Sequence, residues 1–379
     1  MASPTDPAAR PSGPKGTHGT SKLWTPTRLG DIQVDNRLAM SPMTRRRADA
    51  DGQPNARMAT YYAQRASFGL IVTEGTYPSV EGRAYPNQPG ILASHAPGWA
   101  HVTDTMHQAG GRIAMQLMHA GRLTHPDITG VEDVVAPSAI GFEADAEHAH
   151  AAARNPVPRA ATKADLEQII HAHVTAAQRA IAAGFDGIEL HSANGYLLQQ
   201  FLSPATNQRT DTYGGSPAGR ARFIIELVEA IAGTVGAGRV GLRLSPGANI
   251  QGADENDPRD LIATYTALGH ALRPLSLAYV SIIHPDIPGE LVQHIRHEFS
   301  APLIANTGFG AVTSRDEALR LIDTGAADLV AIGRPAIANP DLPARWTADA
   351  PEALPDPATF YTGERGYTDY PTMSAPGDD

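Results

Sequence analysis

Eight short apolar runs, most of them separated by a helix-length segment, constrain this chain more than any other feature. They are Leu38 to Met43, Gly69 to Glu74, Arg112 to Leu117, Gly187 to His191, Val240 to Leu244, Tyr279 to Ile282, Leu303 to Asn306 and Leu329 to Gly333. Runs this short and this continuously apolar suit strands of a parallel sheet, which is covered on both faces. The segments between them read as helices. From Ala164 to Ala183, Leu166, Ile169, Ile170, Val174, Ala177 and Ile181 share one face at spacings of three and four. Thr162 stands where a helix cap belongs, and Gly184 ends the pattern. Two further helices are expected at Arg220 to Ala232 and at Asp316 to Thr324, the latter stopped by Gly325. Eight β-then-α units predict a TIM (β/α)8 barrel. A doubly wound sheet is the runner-up, but no Gly-x-Gly-x-x-Gly follows the first run.

Two segments stand outside the repeat. Leu29 to Asn36 reads as a short hairpin that plugs the barrel floor. Gly130 to Ala161 is polar, rich in Ala and His, and broken by Pro137, Pro156 and Pro158. It reads as an excursion between the third strand and its following helix that covers the mouth of the barrel. His148, His150, His171 and His173 lie two apart, so their side chains diverge and are expected on a solvated surface rather than around a metal. Residues 1–22 are expected to be a disordered tail, 23–371 one barrel domain, and 372–379 a second tail.

Composition narrows the chemistry. With no cysteine there is no disulfide, thiolate nucleophile or cysteine-ligated metal. The net charge is -10, and of 30 basic residues three are lysine, which makes nucleic acid an unsuitable partner. Arg45-Arg46-Arg47 is expected in a solvated or cofactor-facing loop. No run of 18 apolar residues offers a membrane span, and the N-terminus has no apolar signal core, so the expected compartment is the cytoplasm.

Barrel active sites lie at the C-terminal strand ends. There the chain offers Thr44, Glu74, Gly75, Gln116, His119, His191, Asn194, Tyr196, Arg243, Asn306, Gly308, Gly333 and Arg334. His191 and Asn194 can donate hydrogen bonds to a carbonyl oxygen, and Tyr196 can deliver a phenolic proton. Each has a plainer reading, as a buried histidine bonded to backbone and a core tyrosine. Asn306-Thr307-Gly308-Phe309-Gly310 and Gly333-Arg334 suit a phosphate site, because glycines let backbone N–H groups come close; the alternative is an ordinary tight turn. Arg243 points into the mouth and needs an anionic partner, for which Glu74 and Glu189 are the candidates.

These segments occur in a specific order: Leu38-Ala39-Met40-Ser41-Pro42-Met43-Thr44-Arg45, Thr73-Glu74-Gly75-Thr76, Ala114 to Arg122, Ile188 to Tyr196, Asn207 to Ser216, Ile332-Gly333-Arg334-Pro335, Ile337 to Leu342, Thr359-Phe360-Tyr361 and Gly366 to Pro371. Together they resemble the old yellow enzyme family of FMN-dependent ene-reductases, from about Leu23 to Pro371. The resemblance implies that Pro42, Met43, Thr44, Gly75, Gln116 and Arg243 hold the flavin ring, and that Gly308, Phe309, Gly310, Gly333 and Arg334 hold its phosphate. It implies that His191 and Asn194 bind the substrate oxygen and that Tyr196 is the proton donor. Tyr85, Met118, Ile283 and Tyr361 would shape the substrate space. Asn194 stands where many members carry a second histidine, Met118 where several carry a large aromatic, His284 where a glutamate is more usual, and Thr44 where one branch has a cysteine.

The implied reaction is reduction of an α,β-unsaturated ketone, aldehyde or nitroalkene with NADPH or NADH through non-covalent FMN, by a monomer or homodimer. Two other classes stay open: a double-bond isomerase on the same scaffold with no net NAD(P)H use, and a barrel without redox turnover, such as a metal-dependent hydrolase using His119 and His191 or a flavin carrier.

Overall fold

The structure, a computed structural model, describes residues 21–142, 156–308 and 310–373. Its strands in chain order are β1 (Thr27–Leu29), β2 (Ile32–Val34), β3 (Leu38–Met40), β4 (Leu70–Val72), β5 (Ile113–Leu117), β6 (Val135–Ala136), β7 (Arg159–Ala160), β8 (Gly187–Ser192), β9 (Val240–Leu244), β10 (Tyr279–Ile283), β11 (Leu303–Asn306) and β12 (Leu329–Ile332). The helices are α1 (Ala56–Ala63), α2 (Ala96–Gln108), α3 (Pro126–Thr129), α4 (Lys163–Ala182), α5 (Leu197–Leu202), α6 (Pro217–Val235), α7 (Pro258–Leu272), α8 (Glu290–Phe299), α9 (Arg315–Asp323), α10 (Arg334–Ala338) and α11 (Leu342–Ala348).

β3, β4, β5, β8, β9, β10, β11 and β12 close a barrel in that order, and every neighbouring pair is parallel. The eight strands are the eight apolar runs. The first ends at Met40 rather than Met43. Ser41 N–H still reaches Ile332 O, but Pro42 has no N–H to continue the ladder. The main helix begins with Thr162, whose hydroxyl accepts from Asp165 N–H while the Asp165 carboxylate accepts from Thr162 N–H. α6 is longer than its apolar pattern, because Ser216 caps it and Pro217 opens it.

β1 and β2 form the floor hairpin. Leu29, Ile32 and Val34 are buried among Ala39, Leu70, Val72, Ala114, Tyr279 and Ile304, side chains that fill the lower barrel. Burying each of those three apolar side chains contributes roughly 1.5–3 kcal/mol. The turn at Gly30 has φ 55°, and a Cβ there would fall 2.4 Å from Gly238 O. Glycine is therefore required for the hairpin to enter the floor.

The excursion contributes β6 and β7, which pair with each other. Arg209 ties both of its arms down through Pro137 O (2.9 Å) and Ala161 O (2.6 Å). His148 and His150 lie outside the described residues. The surface expectation fails for His173. It faces inward from α4, is fully buried, stacks on His119 at 6.2 Å and bonds Ile169 O through Nδ1. His171, two residues earlier, is on the exposed face.

The arginine triplet is not a solvated loop either. Arg45 and Arg47 are buried, and their guanidinium groups donate to carbonyls of a C-terminal segment: Phe360 and Gly366 for Arg45, and Thr359, Phe360, Thr362 and Gly363 for Arg47. Arginine suits this role because its donors fork in one plane and can serve several carbonyls at once. No helix among the described residues is long and apolar enough to cross a membrane.

Candidate active site at the barrel mouth

β8 delivers His191 to the mouth and the chain then reverses sharply. Asn194 (φ 58°) and Gly195 (φ 76°) are consecutive left-handed residues. Asparagine tolerates that conformation better than most residues, and a Cβ at Gly195 would meet Ile250 O at 2.6 Å. The reversal places Tyr196 at the start of α5, with its ring 5.0 Å from that of His191. Both side chains are nearly buried. The Tyr196 hydroxyl is hydrogen-bonded to the Tyr85 hydroxyl. Burial first, then the Tyr85 phenol, raises the Tyr196 pKa well above the usual range, so this group is a neutral acid. Burial and the Arg243 charge push His191 well below its usual range, leaving a neutral imidazole. His191 Nδ1 and Asn194 Oδ1 are buried with no partner among the described residues.

Beneath this trio lies a charged layer set by strand register. Gln116 pairs with Glu189, and Arg243 lies opposite His191 on one side and Ser281 on the other. Gln116 Nε2 donates to Glu189 Oε1 at 2.7 Å, and Arg243 donates to Ser281 Oγ at 2.9 Å. Burial raises the Glu189 pKa, opposed by the Arg243 charge and the Gln116 amide. Burial lowers that of Arg243, opposed by Glu189. Glu189 is thus the anionic counterpart of Arg243. Glu74, the other candidate, accepts the N–H groups of Arg45 and Arg46 instead.

Pro42, Met43 and Thr44 are half-buried after β3, and Gly75 is buried after β4. A Cβ at Gly75 would come within 2.6 Å of Met118 Sδ. Met118 packs with Ala84, Ala120, Leu123 and Tyr196, and Tyr85 and Phe142 lie against that cluster. At the far side, Asn306 bridges Ser41 Oγ and Ala331 O, which joins the ends of β3, β11 and β12. Gly308 has φ 106°, and both Gly308 and Gly310 border open space. The Gly308 N–H is already given to Asn306 Oδ1, at 3.2 Å. Arg334 is exposed and reaches Ala311 O, and Gly333 lies close to Met43. Phe309 is outside the described residues. Ile283 is buried at the end of β10, while Tyr361 is 51% exposed yet near enough to act electrostatically on Tyr85 and Tyr196.

The sequence reading passed over Gln199, Ser245 and Gln251, which contact the Asn194–Tyr196 turn. One signal was present. Gln199 and Gln200 interrupt an otherwise apolar short helix, and buried amides require partners.

The described residues contain no group of three or more His, Asp or Glu side chains able to hold a metal ion. A closed parallel barrel with a neutral acid, a neutral imidazole and a compensated arginine at its C-terminal mouth defines a TIM-barrel enzyme site without a metal cluster among those residues. The sequence pattern of the NADH:flavin oxidoreductase / NADH oxidase family matches residues 22–352, and the chain belongs to that family. It is 40% identical over 364 residues to a probable flavin mononucleotide-dependent alkene reductase of Leishmania infantum, covering 93% of this chain and 97% of the relative. It is 36% identical over 372 residues to 12-oxophytodienoate reductase 1 of Oryza sativa subsp. japonica, covering 93% of each. Among solved structures, morphinone reductase superposes with a TM-score of 0.86 at 38% identity, over 96% of this chain and 100% of that one. An old yellow enzyme homologue from Zymomonas mobilis gives 0.86 at 36% identity, over 93% and 100%.

Proposed function

We propose that the protein is an FMN-dependent ene-reductase that reduces the C=C bond of α,β-unsaturated carbonyl or nitro compounds with NADH or NADPH. The observation that carries this reading is the trio at the end of β8. His191 has a buried ring nitrogen and Asn194 a buried amide oxygen without a partner among the described residues, so neither side chain is committed to the protein and each has an N–H to offer, beside a tyrosine held in its acid form. The flavin-dependent alkene reductase relative and the likeness to morphinone reductase and the old yellow enzyme homologue support it.

The residues fit a flavin. Gln116 offers an amide for the pyrimidine edge, Arg243 a cation where negative charge gathers on reduction, and Glu189 Oε2 a buried oxygen with no partner among the described residues. The open space beside Gly308 and Gly310 suits a phosphate, and Arg334 would meet its charge. Pro42, Met43, Thr44 and Gly75 would border the ring. Bound FMN would supply the two-electron chemistry, accepting hydride from the nicotinamide and passing it to the β-carbon of the alkene.

The chain's own part follows from its donors. His191 and Asn194 would donate to the substrate oxygen, and their pull strengthens as that oxygen gains enolate charge. Tyr196 would give its proton to the α-carbon, and Tyr85 holds the phenol in place. Met118, Tyr85, Ile283 and Tyr361 would bound the substrate. The reductase relatives lend no support to a double-bond isomerase.

The test is anaerobic mixing of flavin-loaded protein with NADPH or NADH, followed by 2-cyclohexenone. Bleaching of the visible flavin band and its recovery on adding the enone are expected. Protein that binds no flavin would overturn the reading of Gln116, Arg243 and the glycine turn together.

A further inference from the structure

The Asn194–Gly195 turn is an unfavourable piece of backbone, since two consecutive residues occupy the left-handed region and the first is not glycine. Something must hold it, and the structure shows what does. Ser245 Oγ accepts the Asn194 N–H at 2.9 Å. Gln199 Oε1 accepts the Gly195 N–H at 2.8 Å and the Ser245 hydroxyl at 3.1 Å. Gln199 Nε2 returns a bond to Ser245 O at 3.2 Å. Gln199 and Ser245 are both fully buried, so water does not replace these bonds. The ring joins the first turn of α5 to the end of β9, with both left-handed N–H groups inside it. None of these bonds uses the Asn194 side chain, whose Oδ1 is left without a partner.

We propose that Gln199, acting with Ser245, is a positioning residue that fixes the left-handed turn and thereby aims the Asn194 amide at the substrate oxygen. This rests on the reading of Asn194 as a donor to that oxygen. Gln199 itself touches no reacting group. Its effect is transmitted through backbone geometry, where a displacement of about 1 Å can cost up to about a hundredfold in rate.

The test is a double-mutant cycle on flavin-loaded protein with 2-cyclohexenone as the probe. Gln199→Met keeps the length of the side chain and removes both of its hydrogen-bonding ends. The expected result is about a tenfold fall in kcat/KM, with bound flavin per chain unchanged, and little further loss when the same change is made in an Asn194→Ala background. Ser245→Ala removes the oxygen that accepts Asn194 N–H and donates to Gln199, leaves Gln199 on Gly195 N–H, and is expected to give the same pattern on a smaller cut, which keeps the test open if Gln199→Met does not fold. Full activity in both variants overturns the proposal while leaving the role of Asn194 intact. An equal loss with and without Asn194 also overturns it, since Gln199 would then act on the fold at large. Full activity of Asn194→Ala alone overturns both this proposal and the substrate-oxygen reading beneath it.

Discussion

The phenol of Tyr85 is hydrogen-bonded to the phenol of Tyr196, although the two residues lie 111 positions apart. Tyr85 follows β4 and Tyr196 follows β8, which only β5 separates in the barrel, so the contact ties the segments after two nearby strands together. Burial raises the pKa of both, and that of Tyr196 lies well above the usual phenol range. Tyr196 therefore keeps its proton throughout the neutral range. The rate of flavin reoxidation by an enone is expected to show no loss from this group between pH 6 and about 9. Tyr196→Phe is expected to slow that half-reaction by about 10²–10⁴-fold and to spare flavin reduction by the nicotinamide. Stopped-flow measurement of the two half-reactions decides the point, and equal slowing of both would remove Tyr196 from the acid role.

His191 makes a second prediction. Its imidazole is neutral because burial and the Arg243 charge both oppose protonation. A neutral donor to an oxygen that becomes charged acts mainly in the transition state, so His191→Ala is expected to lower kcat/KM by roughly 10²-fold or more, near 3 kcal/mol. Because the donor is already neutral at pH 7, acidification to pH 6 is not expected to alter its contribution. A pH profile with a step near the ordinary histidine pKa that vanishes in His191→Ala would contradict this.

The strands, the floor hairpin and the trio at the end of β8 were legible because each depends on local pattern. Continuous apolar runs define the buried strands, and turn residues bound them. What escaped was decided by partners far away in sequence. Arg45-Arg46-Arg47 has the composition of a solvated loop, yet Arg45 and Arg47 bind carbonyls more than 300 positions later. His171 and His173 look equivalent, but α4 turns the second toward His119. Glu189 is one of the two partners expected for Arg243, but its bond to Gln116 is set by register between strands distant in sequence. The Gly308 turn suggested free backbone donors, but Asn306 already occupies one of them.

The arginine clasp leads to a third prediction. Arg47 is 3% exposed and its donors serve backbone oxygens of Arg45, Thr359, Phe360, Thr362 and Gly363. Removing a buried charged donor leaves those carbonyls unsatisfied, at about 1–3 kcal/mol for each that water cannot reach. Arg47→Ala is expected to lower the thermal midpoint and to make the segment around Thr359 to Gly366 the first site of limited proteolysis. An unchanged cleavage pattern would show that the clasp does not hold this segment.

The stacked pair His119 and His173 gives the fourth. Burial pushes His119 down to about 3, with His173 adding to the effect, and pushes His173 down to about 4. Both folded values lie below the ordinary value of 6.5, so both rings fold neutral. Their contribution to stability is fully present above pH 6.5 and is lost as pH falls toward 4 and then 3. Together the loss amounts to roughly 6 kcal/mol by pH 4. Glu255 acts in the opposite sense. Its carboxyl is raised to about 7 by burial, so its contribution is present below the ordinary carboxylate value and is lost as pH rises through 7. The difference between wild type and His173→Phe removes the Glu255 effect, because that group is common to both. Phenylalanine keeps an aromatic ring against His119 and cannot take a proton. Between pH 7 and 5 wild type is expected to lose about 2 kcal/mol of stability relative to the variant in denaturant titrations. Parallel slopes would show that His173 does not take up a proton on unfolding, and acid sensitivity would then have to come from groups elsewhere in the barrel.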